Sequence, residues 1–334
     1  MDWMLFTVIA TALLFDFTNG FHDAANAIAI SVSTRAMTMN SALVLAAILD
    51  VVGGILSTAV ATTIATGIVI PSAVSLPIVL AGLLGAIFWN LLTWYFGIPS
   101  SSSHCLVGGI VGAVIVCCGS ASVQWMNIVL RVVIPIFVSP ILGFLAGMLF
   151  IHAINWIFRS ANPARVNRQF RRVQLFSAGF MALSHGLNDA QKTMGIITLA
   201  LFVGGAIPAV HVPLWVKVTC SLAIGLGTFV GGKRIIHTLG MRIVKLSLSD
   251  GFAAQTAAAL VMQGAAWMGA PISTTHVVTT TIMGVGSARR IRAVRWAVSR
   301  QIVVAWILTL PASALFGGLT VWIFALFKIY QPHH

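Results

Sequence analysis

The sequence predicts an all-α integral membrane protein of about ten spans, some broken or re-entrant, built as two repeats of inverted topology. Three observations predict it. Hydrophobic residues make up 59% of the 334 and charged residues 7%, against about 45–50% and about 25% in soluble domains, so the chain cannot cover itself with a water-compatible surface. Basic residues crowd into alternate connections between apolar stretches. Finally, two polar phrases near the start, NGFHDAANA at 19–27 and PSSSSH at 99–104, return in the same order as HGLNDAQKT at 185–193 and PISTTH at 271–276.

Apolar stretches long enough to cross a hydrocarbon core of ~30 Å fall at 3–34, 41–66, 78–97, 101–118, 128–157, 174–206, 213–232, 252–268, 272–288 and 301–327. That is five per half. Several carry Gly, Pro, Asn or Ser at their centres, and unwound backbone at membrane depth is tolerated only where protein or a polar cavity surrounds it. The first stretch begins with Asp2 in place of a basic n-region and lacks a small-residue cleavage pattern, so it reads as a retained span. Arg35, the run Arg159 to Arg172, the group Lys233 to Lys245 and the run Arg289 to Arg300 mark the cytoplasmic connections. Both termini are then expected outside. An odd number of spans per half makes the halves run in opposite senses across the membrane. The expected units are a first repeat at 1–158, a basic cytoplasmic linker at 159–173 and a second repeat at 174–334.

The formal net charge of +13 would suggest nucleic acid in a soluble chain. Here its placement explains it as a topology signal with lipid headgroup contact. Cys105, Cys117, Cys118 and Cys220 lie in apolar segments without metal-type spacing and read as packing residues. The ten Trp and twelve Met are scattered and need no cofactor. His152, His211 and His237 sit near span ends and read as interfacial. A Ser-His hydrolase lacks its nucleophile elbow, and a receptor or interaction protein lacks a soluble domain.

Only six residues are acidic, and Asp23 and Asp189 occupy equivalent places inside apolar stretches. A carboxylate near the middle of a span costs about 2.5–3.5 kcal/mol on insertion scales. It is expected with a partner ion, a proton or an aqueous cavity. Helical spacing puts Asp16, Asn19, Asp23 and Asn26 on one face, an oxygen-donor set suited to a hard cation. His185, Asp189 and Lys192 share a similar face of the second phrase. Asp50 lacks an acidic twin and reads equally as a relay, a gate or a structural hydrogen bond. Ser101, Ser102 and Ser103 match Ser273, Thr274 and Thr275, each set at the start of an apolar segment. There hydroxyls cap free N–H groups, and the same N–H groups with the helix dipole hold anions. Cation-binding carboxylates beside anion-binding helix ends point to a cation-coupled anion carrier. Moving a doubly charged anion inward against an inside-negative potential costs about 4.6 kcal/mol per 100 mV, which cotransported cations offset.

These four phrases resemble the duplicated signatures of the PiT family of inorganic phosphate transporters, of the bacterial low-affinity type, over essentially the whole chain. The resemblance implies a multi-pass carrier in the bacterial inner (plasma) membrane. It would be a homodimer without enzymatic activity or a tightly bound cofactor, importing inorganic phosphate with a coupling cation (H+, Mg2+ or Na+) by alternating access. By the same match, Asp23, Asn26 and Asp189 are expected in cation or proton coupling, and Asp23 and Asp189 as metal ligands; Asp16 is added to the coupling set by its place on the same helical face. Asn188, Ser101, Ser102, Ser103, Ser273, Thr274 and Thr275 are expected at phosphate by that match, and Lys192, from its charge and not from the match, is expected either to pair with Asp189 or to touch phosphate. Two positions depart from the family pattern: His22 stands for its first Asn, and Lys192 for the last Asn of the second phrase. An ammonium cannot ligate sodium, so protons or a divalent metal–phosphate complex are preferred to sodium. A sodium symporter, a sulfate or arsenate permease and an anion channel are the competing readings.

Overall fold

The computed structural model describes residues 3–231 and 233–329. Asp2, and the expectation that both termini lie outside the membrane, fall beyond the described residues. Among those described there are twelve helices and no strand. The first half holds α1 (Trp3–Ser33), α2 (Met39–Ile55), α3 (Ala59–Gly67), α4 (Leu76–Phe96), α5 (Ser102–Cys118) and α6 (Trp125–Ile157). The second holds α7 (Pro163–Val203), α8 (Leu214–Val230), α9 (Arg234–Arg242), α10 (Leu248–Trp267), α11 (Thr274–Arg289) and α12 (Trp296–Leu326). Element for element the order repeats: α2–α3 and α8–α9 are both bent by 67° at a short break.

All ten apolar stretches are helical, but they are unequal as spans. Four helices, α1, α4, α6 and α12, are long and apolar enough to cross a membrane alone, and the two bent pairs bring the number to six. Helices α5 and α11, of 17 and 16 residues, reach only about 25 Å at 1.5 Å per residue. The expected linker is not a separate connection. Its residues from 163 onward form the first turns of α7, whose 41 residues extend about 60 Å, twice the hydrocarbon thickness. Local chemistry explains the early start: the Asn162 side chain accepts from Ala164 N at 2.9 Å, and Pro163 at the first position lacks an N–H to satisfy.

The chain is apolar outside and polar inside. Leu149, Leu315 and Trp322 are more than 60% exposed, whereas Asp16, Asn19, His22, Asp50, His185, Asp189 and Gln191 are all fully buried. The halves are interleaved: α1 packs on α8, and its counterpart α7 packs on α2. Both crossings are backbone to backbone. A Cβ on Gly20 would lie 2.3 Å from Ile224 O, and one on Gly186, at the same place in the second half, 2.2 Å from Asp50 O. Only glycine permits this approach, the usual device where lipid supplies no hydrophobic drive between helices. The break before α3 leaves N–H groups without a helical acceptor, and Gln191 Oε1 on α7 accepts from Val60 N at 2.8 Å and Ala61 N at 3.3 Å.

Candidate functional site

Two short helices enter the interior with their N-termini facing each other. Ser101 and Ser273 are their N-caps, accepting from His104 N at 3.4 Å and His276 N at 3.3 Å. The rings of His104 and His276 meet with centroids 4.9 Å apart, and Trp306 stacks on His276 at 3.8 Å while donating to Pro99 O at 3.2 Å. The first N–H groups of α5 and α11 have no intrahelical acceptor, and each helix end carries about half a positive charge. The two ends therefore make one electropositive spot between the halves.

The carboxylates of α1 and α7 lie at that spot. Ser102 donates to Asp23 Oδ2 at 2.8 Å, and its twin Thr274 donates to Asp189 Oδ2 at 3.1 Å. Each half thus ties its own aspartate to its own hydroxyl phrase. Thr275 crosses over to Asp23 Oδ1 at 3.4 Å, and Asn26 Nδ2 donates to Thr275 Oγ1 at 2.9 Å and Thr274 Oγ1 at 3.3 Å. In the second half this crossing is missing. Ser103 donates instead to Ile272 O at 3.0 Å, and Lys192, at the place equivalent to Asn26, turns back to its own helix and donates to Asp189 Oδ1.

Of the twelve residues assigned to phosphate or coupling from the sequence, Asp23, Asn26, Ser102, Thr274, Thr275, Asp189 and Lys192 form this one connected cluster. Ser101, Ser273 and Ser103 border it with their hydroxyls engaged by backbone groups. Asn188 donates to Ser184 O at 3.0 Å and Met262 O at 2.9 Å, its Oδ1 remaining buried and unpartnered. Asp16 lies two turns earlier on α1, outside the cluster.

Several members carry no strong signal in the sequence. His22 Nδ1 lies 2.7 Å from Asp23 Oδ1. The other ring nitrogen meets Thr93 Oγ1 at 3.2 Å and Ser100 Oγ at 3.3 Å. On the second side Asp50 takes a bond from Thr228 at 2.6 Å and meets His185 Nδ1 at 2.9 Å, while His185 Nε2 lies 3.3 Å from Asp189 Oδ2. Asp50 therefore belongs to a chain Asp50–His185–Asp189–Lys192. The spacing of His185 to Asp189, one helical turn, is the signal that finds it; Thr93, Ser100 and Thr228 have none. Donor atoms of Asp23, His185 and Asp189 all lie within 4.8 Å of one another, close enough to share a cation.

No more than 2% of Asp23, Asp189, Lys192, Ser102, Thr274 or Thr275 is exposed, so the site is occluded. Gln255 Nε2 donates to Ser31 Oγ at 2.6 Å and Ser177 Oγ to Gln255 Oε1 at 3.1 Å, a polar contact that joins α1, α7 and α10.

A sequence profile described as the phosphate transporter family matches residues 19–166 and 158–317. The chain is 46% identical over 318 residues to a protein of Rhizobium meliloti named "Probable low-affinity inorganic phosphate transporter", covering 95% of each chain. It is 42% identical to a protein of the same name from Bacillus subtilis, covering 95% of this chain and 96% of that one. A solved structure described as "The sodium-dependent phosphate transporter" superposes with a TM-score of 0.90 at 26% identity, covering 97% of this chain and all of the other. Matched across nearly its whole length by family, relatives and fold, the chain belongs to the phosphate transporter family and is a multi-pass membrane protein.

Proposed function

We propose that the chain imports inorganic phosphate across the bacterial inner membrane as a secondary active symporter working by alternating access. The observation that carries this reading is the meeting of Asp23 and Asp189, each held by a hydroxyl of its own half, between two converging helix N-termini. In this reading Ser102, Thr274 and Thr275 exchange their carboxylate bonds for phosphate oxygens when substrate enters. The helix dipoles, with N–H groups near Ser101, Ser103 and Ser273, stabilise the anion, and Asn188 Oδ1, unpartnered and buried, accepts from protonated phosphate. Asp23, Asn26 and Asp189 take the coupling proton or cation. Residues 1–158 and 174–334 act as the two repeats that rock against each other, and the family resemblance makes the working unit a homodimer.

Protons or a divalent metal–phosphate complex are the preferred coupling partners, because Lys192 already places a positive charge on Asp189. We infer that this ammonium is a tethered substitute for one coupling ion. Sodium coupling is the second reading, favoured by the sodium dependence named for the structural relative and by the Asp23–His185–Asp189 cluster. Phosphate uptake into proteoliposomes under an imposed proton gradient, a sodium gradient, or added magnesium separates them. Uptake that follows sodium alone would overturn the preferred coupling. Uptake carried equally by Asp23→Asn and Asp189→Asn variants would remove those residues from the mechanism, and uptake that never exceeds equilibrium would make the chain a channel.

A further inference from the structure

Just inside the face that carries the arginines, α1, α7 and α10 meet through polar side chains. Gln255 of α10 donates to Ser31 Oγ of α1 at 2.6 Å and accepts from Ser177 Oγ of α7 at 3.1 Å. Nearer that face, Thr34 donates to Gln174 Oε1 at 3.1 Å. Ser31, Gln174 and Gln255 are fully buried. The Gln174 amide lies over Gly251, where a Cβ would come within 2.2 Å of its Nε2, and that nitrogen has nothing to donate to. A buried donor left unpaired is unfavourable, and this one is a group that water or a passing anion would satisfy.

The inverted repeat supplies an internal comparison. By the register that pairs Asp23 with Asp189 and the left-handed Gly97 with Gly269, Ser31 corresponds to Ile197, Thr34 to Ala200, Gln174 to Val8 and Gln255 to Leu83. All four counterparts are buried in one continuous apolar cluster. Only Thr11, the counterpart of Ser177, keeps a hydroxyl, and it is half-buried. The layer is thus hydrogen-bonded on one side of the carboxylates and apolar on the other. Ser31 lies eight residues past Asp23 on α1, and Gln255 seven before Met262, whose carbonyl takes Asn188. Both spacings are about 10–12 Å along a helix, so the polar layer stands between the site and the basic face. In between, α1 and α10 carry Ala24, Ala27, Ala258 and Ala259, which put little side-chain bulk there.

The two layers differ in what opening costs. Wetting the polar layer exchanges hydrogen bonds between side chains for hydrogen bonds to water, a nearly balanced trade. Wetting the apolar layer exposes buried hydrocarbon, at a cost proportional to its area and without compensation. We propose that Gln255, Ser31 and Ser177, with Gln174 and Thr34 at the rim, form the inner gate through which substrate leaves, and that the apolar counterpart is the tighter outer seal. The loaded protein therefore opens more readily towards the basic face. The amide N–H groups of Gln255 and Gln174, once parted from their neighbours, face the path as donors for the departing anion. That the anion is phosphate and the basic face cytoplasmic rests on the transport reading; the inequality of the two layers does not.

The test is thiol labelling of the full chain in proteoliposomes, with Gln255→Cys and Leu83→Cys compared and wild type as the background for the four native cysteines. A membrane-impermeant reagent is added to one side at a time, and Arg165→Cys, exposed on the basic face, marks that side. Gln255→Cys is expected to react from the basic face only, faster with phosphate and the driving cation present. Its rate should exceed that of Leu83→Cys from the opposite face about tenfold. Equal rates, labelling of Gln255→Cys from the opposite face, or none during turnover would overturn the gate. Gln255→Leu, which copies the outer layer, should lower the turnover of phosphate uptake about tenfold without raising KM, and stabilisation of the protein by phosphate should persist. A raised KM with unchanged turnover would move Gln255 into the binding site and overturn the gate. Ser31→Ala, the milder change, should show a smaller loss of the same kind, so the split is read even where Gln255→Leu does not fold. A wild type that carries no phosphate would overturn the transport reading, while labelling measured without phosphate would still decide whether the two layers differ.

Discussion

Replacing Lys192 by Asn tests the central electrostatic claim. Lys192 is 1% exposed and its partner Asp189 is fully buried. Breaking a buried ion pair by removing one partner costs about 3–5 kcal/mol, because the remaining charge is stranded. Asp189 would still keep Thr274 at 3.1 Å and His185 at 3.3 Å, which places the loss near the lower end, about 3 kcal/mol. For a chain of 334 residues, an unfolding entropy of about 2.1 cal/mol/K per residue converts that loss into a Tm lower by about 4 °C. A cation that enters in place of the ammonium should restore it: ligand at a hundred times its Kd contributes about 2.7 kcal/mol. The assay is Tm in detergent across a sodium series for wild type and Lys192→Asn, with phosphate uptake run alongside. Lys192→Asn should melt earlier without sodium, regain most of the difference with it, and acquire sodium-stimulated uptake. A variant with the Tm of wild type, or a wild type that gains as much from sodium as the variant does, would refute the tethered-cation argument.

Other substitutions probe separate parts of the site. Asp50→Asn removes the charge that orients His185 and should lower uptake about tenfold, with a shifted pH profile; a structural role alone would leave that profile in place. Gly20→Ala forces a Cβ to 2.3 Å from Ile224 O and should lower Tm by a few degrees, about 1–3 kcal/mol of overpacking. Ser101→Ala and Ser273→Ala should each cost about 1 kcal/mol as lost caps while uptake falls less than for Ser102→Ala or Thr274→Val. Equal uptake losses in all four would show that the capping hydroxyls touch substrate too.

Much of this was legible because polar residues in an apolar chain are rare and therefore informative. Asp23 and Asp189 stood out by their insertion cost, and the two hydroxyl phrases by their repetition; the fold places all four together. What the sequence hid is of two kinds. Contacts from distant elements leave no periodic trace: nothing near Thr228 or Thr93 says that it will meet Asp50 or His22. Helix continuity was the other. The basic stretch after residue 159 reads as a linker because it is charged, yet charge does not break a helix, and with a cap at Asn162 the backbone simply continues into α7. Likewise Ser101 and Ser102 are neighbours of identical type, and only the turn geometry at the start of α5 assigns one to backbone capping and the other to Asp23.

The interleaved packing bears on how the chain is made. Helix α1 rests on α7 and α8, so its buried Asp16, Asn19 and Asp23 meet their permanent surroundings only after residue 230 has been synthesised. At about 5–20 residues per second, the gap of roughly 200 residues leaves those groups waiting some 10–40 s in the nascent chain. The two sequence repeats are therefore not independent folding units. A first half released alone would keep Asp23 on His22 and Ser102 but would leave Asp16 and Asn19 without the α7 and α8 surfaces that pack on α1.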